Sequence, residues 1–253
     1  MIDELNLKGK RILVLGGSSG IGAQVCVQIA GLGGTAIVSG RNYERLNIVL
    51  KRCEGGSEKH SVIPADLSES VQLEELSNTV PPLDGLVYSA GIVQFNPIRF
   101  FDVHLAEQTF KINYLAAVHL TSLLVRKKKI NPGCSLVFIS SLASRYPFFG
   151  GSDYSGSKAA LEMFSKTLAM ELADKKIRSN VVAPAMVETA LFERVRDNIS
   201  ESNMNKHLER LPLGPGNPKD VANLCCYLLS DAAKWITGMR YELDGGLSIS
   251  AFK

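Results

Sequence analysis

The chain has 253 residues, of which 45% are hydrophobic and 21% charged, a composition typical of a folded enzyme and too apolar for a disordered protein. Twenty-eight basic residues against 25 acidic ones leave a net charge of +3, too small to indicate a nucleic-acid-binding protein. The N-terminus, "MIDELNLKGK", lacks the apolar core of a secretory signal, and no stretch approaches the roughly 18 apolar residues of a membrane span. We therefore expect a cytoplasmic protein that binds neither nucleic acid nor membranes.

Short β-branched and apolar runs alternate with longer amphipathic segments, and Gly, Pro, Asn, Asp or Ser marks each switch. Strands are predicted at 11–16, 35–40, 60–65, 84–90, 135–141, 178–184 and 240–245. Helices are predicted at 20–32, 42–52, 68–79, 102–129, 154–174 and 217–230. This alternation predicts an α/β fold with a doubly wound, seven-stranded parallel sheet covered by helices on both faces. No linker divides the chain, so residues 1–253 are expected to form a single domain.

Glycines follow the first predicted strand in the sequence "GGSSGIG" and open the first helix. Glycine lets the backbone approach a pyrophosphate, and a helix N-terminus offers unpaired N–H groups to it. The spacing differs from the usual G-x-G-x-x-G fingerprint, and a simple tight turn is the alternative. The turn predicts a dinucleotide site with candidate contacts Gly16, Ser18, Ser19, Gly20, Ile21 and Gly22.

The end of the second strand, "SGRN", bears on which dinucleotide binds. Gly40 stands where an acid would bind a ribose 2′-hydroxyl, and Arg41 follows with a planar fork suited to a 2′-phosphate. We therefore expect a preference for NADP(H) over NAD(H), the alternative being that Arg41 is a solvated loop residue. After the third strand, Asp66 is a candidate acceptor for the adenine amino group, or else a helix N-terminal residue, and Leu67 lies beside it.

The segment "SDYSGSK" places Tyr154 and Lys158 one helical turn apart, just past the fifth strand. A tyrosine transfers protons at neutral pH only if its phenolate is stabilised, and a lysine ammonium can do that. Ser141, at the end of the fifth strand, could bind a substrate carbonyl oxygen beside Tyr154. Asn113 lies within an amphipathic helical stretch, where its amide binds water or free backbone groups, or is a satisfied core amide.

Five cysteines and four histidines are scattered without the spacing of a metal site or a redox pair. The cysteines fall within apolar segments and are expected to be reduced core thiols. No metal site is predicted.

Together these motifs resemble the classical branch of the short-chain dehydrogenase/reductase family, from Leu7 to about Gly246. The resemblance implies a Rossmann fold and hydride transfer between a nicotinamide and a carbonyl or carbinol carbon. It assigns Tyr154 as proton donor, Ser141 as the group that holds the substrate oxygen, and Lys158 as the residue that lowers the pKa of Tyr154 and binds the ribose. It assigns Asn113 to a water that relays protons to Lys158. It adds cofactor contacts at Ala90, Gly91, Tyr154, Lys158, Pro184, Val187 and Thr189, and "LDGG" at 243–246 matches its C-terminal turn.

Three departures from the family pattern stand near these motifs: Leu15 for a threonine, "YSAG" at 88–91 for "NNAG", and Ala185 for a glycine. The first two remove polar groups that brace the fourth strand against the cofactor turn. Two other functions stay open, a sugar-nucleotide epimerase or dehydratase of the extended branch and a catalytically silent cofactor-binding protein.

The substrate side is less defined. A lid is expected at about 187–213, with apolar walls from Met186, Leu191, Phe192, Met204 and Leu208, and with Arg194, Arg196 and His207 as solvated charges or anion contacts. Arg145, Tyr146, Phe148 and Phe149 are expected to edge the pocket. The resemblance points toward 3-oxoacyl-acyl carrier protein reductases, in which basic residues dock an acidic carrier. The candidates here are "RKKK" at 126–129 with Lys175, Lys176 and Arg178, although a solvated face is the alternative. It also implies a homotetramer or homodimer that acts on a small carbonyl or alcohol substrate.

Overall fold

The computed structural model describes residues 3–189, 192 and 208–252. Within them, seven parallel strands form one sheet in the order β3-β2-β1-β4-β5-β6-β7. Their bounds are β1 (Arg11–Leu15), β2 (Thr35–Gly40), β3 (Ser61–Pro64), β4 (Leu83–Tyr88), β5 (Ile130–Ile139), β6 (Arg178–Pro184) and β7 (Arg240–Leu243). The predicted α/β fold class, with its doubly wound parallel sheet, is confirmed.

Helices cover both faces of this sheet. They are α1 (Gly20–Gly31), α2 (Tyr43–Arg52), α3 (Gly56–Lys59), α4 (Ser70–Thr79), α5 (Val103–Phe110), α6 (Ala116–Arg126), α7 (Ser152–Glu171) and α8 (Pro218–Leu229). Alternate residues of β1 show why the strands are apolar throughout: Leu13 and Leu15 pack with α4, α6 and α7, whereas Ile12 and Val14 pack with α1 and α8. A strand buried on both faces has no polar side to alternate with.

Two predicted elements differ from the structure. β5 begins at Ile130, five residues earlier than predicted, because Ile130 pairs with Leu83 and the pairing register then shifts before Gly85. The segment "NPG" at 131–133, with Gly133 at a φ of +79°, accommodates that irregularity within the strand. The predicted helix 102–129 is also wrong as a single helix, since a π-helical turn, Lys111–Leu115, separates α5 from α6.

The chain order reverses between β1 and β4, which lie side by side although β2 and β3 intervene in sequence. Carboxyl ends of parallel strands meet at one edge, so the segments after β1, β4, β5 and β6 come together there. All five cysteines are buried and none forms a disulfide, as expected for core thiols. In the part of the chain described above, no helix is long and apolar enough to cross a membrane.

Candidate active site

The glycine-rich turn after β1 is built from backbone contacts that exclude side chains. Gly16 has a φ of +76°, and a Cβ there would lie 2.7 Å from the backbone nitrogen of Ala90. A Cβ on Gly22 would lie 2.3 Å from the carbonyl oxygen of Gly16. Both glycines are therefore required for close packing of the turn against α1 and the end of β4.

This turn ends at α1 with its backbone donors available. Ser19 precedes the helix in an extended conformation and its side chain makes no capping hydrogen bond. The first N–H groups of α1 thus face the turn without a side-chain acceptor, as an anion site requires. The glycine cradle and these donors fit the pyrophosphate of a dinucleotide.

The segment after β6 closes on the same turn. A Cβ on Gly20 would lie 3.2 Å from Cγ2 of Thr189, so the predicted nicotinamide-end segment touches the predicted phosphate turn. Hydrogen bonds between Ala185 N–H and the Leu243 carbonyl, and between Gly216 N–H and the Met186 carbonyl, fix this segment. The first of these bonds uses the backbone of Ala185, so the alanine at this family glycine position leaves the connection to β7 intact.

At the far end of the turn, Arg41 and Asp66 follow neighbouring strands. Arg41 is exposed at the end of β2. Asp66 Oδ1 accepts hydrogen bonds from Ser68 N–H at 2.9 Å and from Ser68 Oγ at 2.8 Å. Partial burial acts to raise the pKa of Asp66, but these bonds and the charges of Arg41 and Lys111 lower it overall. Asp66 therefore organises the turn before α4, and contact with adenine stays a prediction.

A cavity of about 660 Å³ adjoins the turn. Four predicted cofactor residues line it: Ser18, Ser19, Gly20 and Thr189. Two arginines of α2, Arg45 and Arg52, form another part of its wall. Neither arginine stands out in the sequence, because a basic residue on an exposed helix face resembles any solvated charge until the element that faces it is known.

Tyr154 and Ser141 meet at the carboxyl end of β5. Tyr154 is buried at the start of α7, and burial raises the pKa of its phenol, while a hydrogen bond with Ser141 acts to lower it. Ser141 is held in turn by its own Oγ, which accepts a hydrogen bond from Ala143 N–H at 3.1 Å. A neutral phenol next to a fixed hydroxyl is suited to give a proton to an oxygen placed between them.

Lys158 is buried one turn further along α7. Its Nζ lies 5.8 Å from the centre of the Tyr154 ring and donates a hydrogen bond to the Ile139 carbonyl at 2.9 Å. Burial lowers the pKa of Lys158 to about 8, and the charge of Glu162 acts in the opposite direction. A Cβ on Gly91 would lie 3.1 Å from Nζ, so this glycine keeps the end of β4 open to the ammonium.

Asn113 lies fully buried in the π-helical turn and connects three parts of the site. Its Oδ1 accepts from Ile92 N–H at 2.8 Å, and its Nδ2 donates to the Ile92 carbonyl at 2.9 Å and to Ser157 Oγ at 3.0 Å. Ser157 Oγ donates to the Tyr154 carbonyl at 2.7 Å. The side-chain amide therefore binds backbone groups, one of the alternatives that the sequence left open, and it ties the loop after β4 to α7.

Tyr88, a family departure, supports this turn. Its ring is buried against Phe138 and its hydroxyl donates to the Ile112 carbonyl at 2.5 Å, within the π-helical turn. The end of β4 is braced instead by the backbone, since Ser89 N–H donates to the Leu15 carbonyl at 2.9 Å. The departures at Leu15 and Tyr88 thus leave β4 attached to β1 and add a new contact to the Asn113 segment.

Aromatic residues stand beside the predicted tyrosine. The ring centres of Phe148 and Tyr154 are 6.1 Å apart, and those of Phe95 and Phe149 are 5.7 Å apart. Arg145 pairs with Glu242 at 3.5 Å, so its charge already has a partner. Of the predicted lid residues, Leu191, Arg194, Arg196, Met204 and His207 lie outside the described residues, whereas Phe192 lines the cavity beside the turn.

The basic run at 126–129 is largely engaged within the chain. Lys127 bonds with Glu74, Ser77 and Asn78 of α4, and Lys129 donates to the carbonyls of Asn78 and Val80. These bonds join the ends of α4 and α6. They favour a structural role for this run over docking of a carrier.

Comparison with known proteins places this arrangement in a family. The family model described as short chain dehydrogenase matches residues 10–200. A tropinone reductase homolog of Arabidopsis thaliana is 32% identical over 98% of this chain and 94% of its own length. The 3-oxoacyl-acyl-carrier-protein reductase of Aquifex aeolicus is 33% identical over 96% and 99%. A dehydrogenase/reductase structure from Sinorhizobium meliloti 1021 superposes with a TM-score of 0.88 at 30% identity, covering 98% of each chain. The chain belongs to the short-chain dehydrogenase/reductase family and is an NAD(P)-dependent oxidoreductase acting on CH–OH and C=O groups.

Proposed function

We propose that the protein is an NADP(H)-dependent oxidoreductase that interconverts a ketone and a secondary alcohol, with Tyr154 as the general acid and base. The observation that carries this proposal is the burial of Tyr154 and Lys158 side by side, with Nζ of Lys158 5.8 Å from the ring centre of Tyr154. Ser141 lies at the same carboxyl end of β5. A site that only bound a cofactor would not need a buried cation behind a phenol.

When bound, the nicotinamide would supply or accept the hydride. The chain's own residues would transfer the proton and bind the substrate oxygen. In the reductive direction, Ser141 Oγ would donate a hydrogen bond to the substrate carbonyl oxygen, and Tyr154 would give it the phenol proton. The ammonium of Lys158 would stabilise the phenolate that this transfer leaves behind, which opposes the effect of burial on the pKa of Tyr154.

The same residues would orient the reactants. The glycine turn and the N-terminus of α1 would hold the pyrophosphate, with Ala90, Gly91, Pro184, Val187 and Thr189 nearer the nicotinamide. Asn113 would keep Ile92 and α7 in register and thereby keep the proton path beside Lys158 in place. The aromatic residues at 148 and 149 would edge the substrate pocket.

Replacement of Tyr154 by Phe tests the acid. The variant keeps the ring and its contacts but removes the phenol proton, so NADPH oxidation with a panel of ketones should fall by about 10³-fold or more while NADPH binding stays nearly unchanged. Tyr43→Phe, at an exposed position of α2, is the matched control. Turnover retained by Tyr154→Phe would exclude the proposed role.

Calorimetric titration with NADPH and NADH tests the cofactor preference. Calorimetry is preferable to fluorescence because Trp235, which is 97% exposed, is the only tryptophan of the chain. NADPH should bind at least about tenfold more tightly than NADH, and Arg41→Ala should remove that difference by weakening NADPH alone. Equal affinities in the native protein would make Arg41 a bystander.

The single-domain organisation and the homo-oligomer implied by the resemblance belong to the same proposal. Apolar residues on α5, the π-helical turn and α7 are exposed in the single chain: Val103, Leu115, Met163 and Met170. Burial against a second copy would remove this apolar surface from water. Light scattering should give a dimer or tetramer at micromolar concentration, and a monomer would contradict the assembly.

A further inference from the structure

A buried ion pair lies directly behind the catalytic edge of the sheet. Glu162, one turn after Lys158 on α7, accepts a hydrogen bond from Nε of Arg240 on β7, with Nε and Oε1 2.8 Å apart. The two side chains are 12% and 4% exposed. Burying two charges carries a large desolvation cost, and hydrophobic residues of the same size often stabilise a fold as well or better. Stability alone is therefore a weak reason for this pair.

The pair encloses the turn that carries Ser141. Glu162 Oε1 also accepts from Ser140 Oγ at 2.7 Å and from Ser144 Oγ at 2.5 Å, so it binds the residues on both sides of Ser141 and Leu142. Arg240 Nη2 donates to Ser144 Oγ at 3.1 Å and lies 3.4 Å from the Ser141 carbonyl oxygen. One carboxylate and one guanidinium thus hold the backbone of this turn against α7 and β7.

The charges continue outward along β7. Arg240 Nη1 pairs with Glu242, and Glu242 pairs with Arg145, the residue that ends the Ser141 turn. Acidic and basic groups alternate from Glu162 to Arg145. The whole turn is consequently fixed by side chains that lie outside the predicted catalytic set.

We propose that Glu162 and Arg240 are positioning residues that set the place of Ser141 and the protonation of Lys158. This inference rests on the proposed function, since it gives these two residues a part in that reaction. Neither residue touches the substrate oxygen. Their hydrogen bonds position the turn that carries Ser141. Their charges change the electrostatic potential at Lys158.

The electrostatic part follows from the arrangement of charges around Lys158. Within the described residues, the titratable groups that face it are Tyr154 and Glu162 on α7, with Arg240 and then Glu242 of β7 behind Glu162. Burial lowers the pKa of Lys158 to about 8, and the charge of Glu162 acts to raise it. Because Arg240 is paired with Glu162, we expect its positive charge to offset part of the effect of Glu162. Removing either charge should therefore move the pKa of Lys158, and in opposite directions.

The test compares Glu162→Gln with Arg240→Gln. Glu162→Gln keeps an oxygen acceptor but removes the negative charge that acts to raise the pKa of Lys158. The limb of the pH profile of kcat/KM assigned to Lys158 should therefore move to lower pH by about half a pH unit or more. Arg240→Gln leaves the carboxylate unbalanced and should move the same limb to higher pH by a similar amount. The double variant should return close to the native limb.

Arg240→Lys separates geometry from charge. It keeps the positive charge near Glu162 but loses the fork that reaches Ser144 and the Ser141 carbonyl. We expect the pH limb to stay in place while kcat falls by about tenfold or more, with the affinity for NADPH unchanged. Shifts in the same direction for Glu162→Gln and Arg240→Gln, or no shift in either, would overturn the proposal.

A second readout is independent of turnover. With ¹³Cε-labelled lysine, the resonance of Lys158, identified by its loss in Lys158→Arg, can be titrated by NMR in each variant without substrate. Opposite shifts of the pKa of Lys158 in Glu162→Gln and Arg240→Gln would show that the charges of the ion pair act on Lys158, even if the native protein reduced no ketone. Failure of this inference can therefore be distinguished from failure of the proposed function. An unchanged pKa in folded variants, with folding checked by circular dichroism, would reject it.

Discussion

The two halves of the site are built on opposite principles. The half after β1 depends on glycines that have no side chain, because a Cβ at Gly16 or Gly22 would occupy space already filled by backbone. The half after β5 depends on side chains that are present and buried: Asn113, Lys158, and the ion pair of Glu162 with Arg240. Under the proposed function, affinity for the dinucleotide would come from backbone groups of the first half. Reactivity would come from the electrostatic surroundings of a few polar groups in the second half.

This difference predicts how each half responds to substitution. Added bulk in the glycine turn should abolish binding of the dinucleotide. Removal of a charge in the α7 half should instead alter protonation and stability, and can stabilise the apo protein while it stops the reaction.

The largest effect on cofactor affinity is expected for Gly16→Ala. The new Cβ would lie 2.7 Å from the Ala90 backbone nitrogen, and its φ of +76° is unfavourable for alanine. Affinity for NADPH should fall by about 100-fold or more in calorimetry. Gly133→Ala is the matched control, since Gly133 has a φ of +79° but no atom within 4 Å of a new Cβ. An equal loss of NADPH affinity in both variants would mean that backbone strain, and not the contact of the new Cβ with the end of β4, weakens binding.

Lys158→Met should distinguish the α7 half from the glycine turn, because it is expected to stabilise the apo protein. Burial lowers the pKa of Lys158 from 10.5 to about 8, so the unfolded chain binds more protons than the folded one between these values, and the free energy of unfolding rises with pH across that window. At pH 7 the buried charge of Lys158 opposes folding by roughly 3 kcal/mol. The hydrogen bond from Nζ to the Ile139 carbonyl, which methionine cannot make, stabilises the folded state by about 1 kcal/mol.

We therefore expect Lys158→Met to gain about 2 kcal/mol in urea unfolding at pH 7, a gain that shrinks toward pH 10.5, while turnover is lost. Lys166→Met, at an exposed position of the same helix, should show neither effect. A destabilised Lys158→Met at pH 7 would contradict the expected cost of the buried ammonium.

Tyr88→Phe should give the smallest effect. It removes the side-chain donor to the Ile112 carbonyl, which costs about 1–2 kcal/mol in unfolding free energy, and it loosens the π-helical turn that holds Asn113. We expect kcat to fall by up to about tenfold with the affinity for NADPH unchanged. Tyr43→Phe, at an exposed position, is again the control. An unaltered kcat would show that the π-helical turn holds its shape without this bond.

The fold was largely predictable because every strand is a short apolar run and every switch carries a turn residue. The errors have physical causes. β5 starts within "INPGC", where Pro132 and Gly133 suggest a loop although the backbone still pairs with β4. The π-helical turn at 111–115 keeps helical side-chain spacing on both sides, so periodicity cannot reveal the extra residue in the turn.

The grouping of the candidate site residues was predictable where these residues lie close together in sequence. Tyr154 and Lys158 are one turn apart, and the glycines form one contiguous motif. Glu162 and Arg240 were missed because a carboxylate on an amphipathic helix and an arginine on a short strand each look like a solvated charge until the sheet order brings β7 next to β6. The partner of Tyr88 was hidden for the same reason, since Ile112 contributes only a backbone oxygen.

The contact between Arg240 and the Ser141 turn joins residues 99 positions apart, and β7 is the last strand of the sheet to be synthesised. A ribosome making this chain would expose the serine, tyrosine and lysine well before the strand that fixes them emerges. A nascent chain could therefore bury the phenol and the ammonium before the serine has its final place. Catalytic competence would come with β7, so the emergence of this strand would be the step that turns a dinucleotide-binding half into an enzyme.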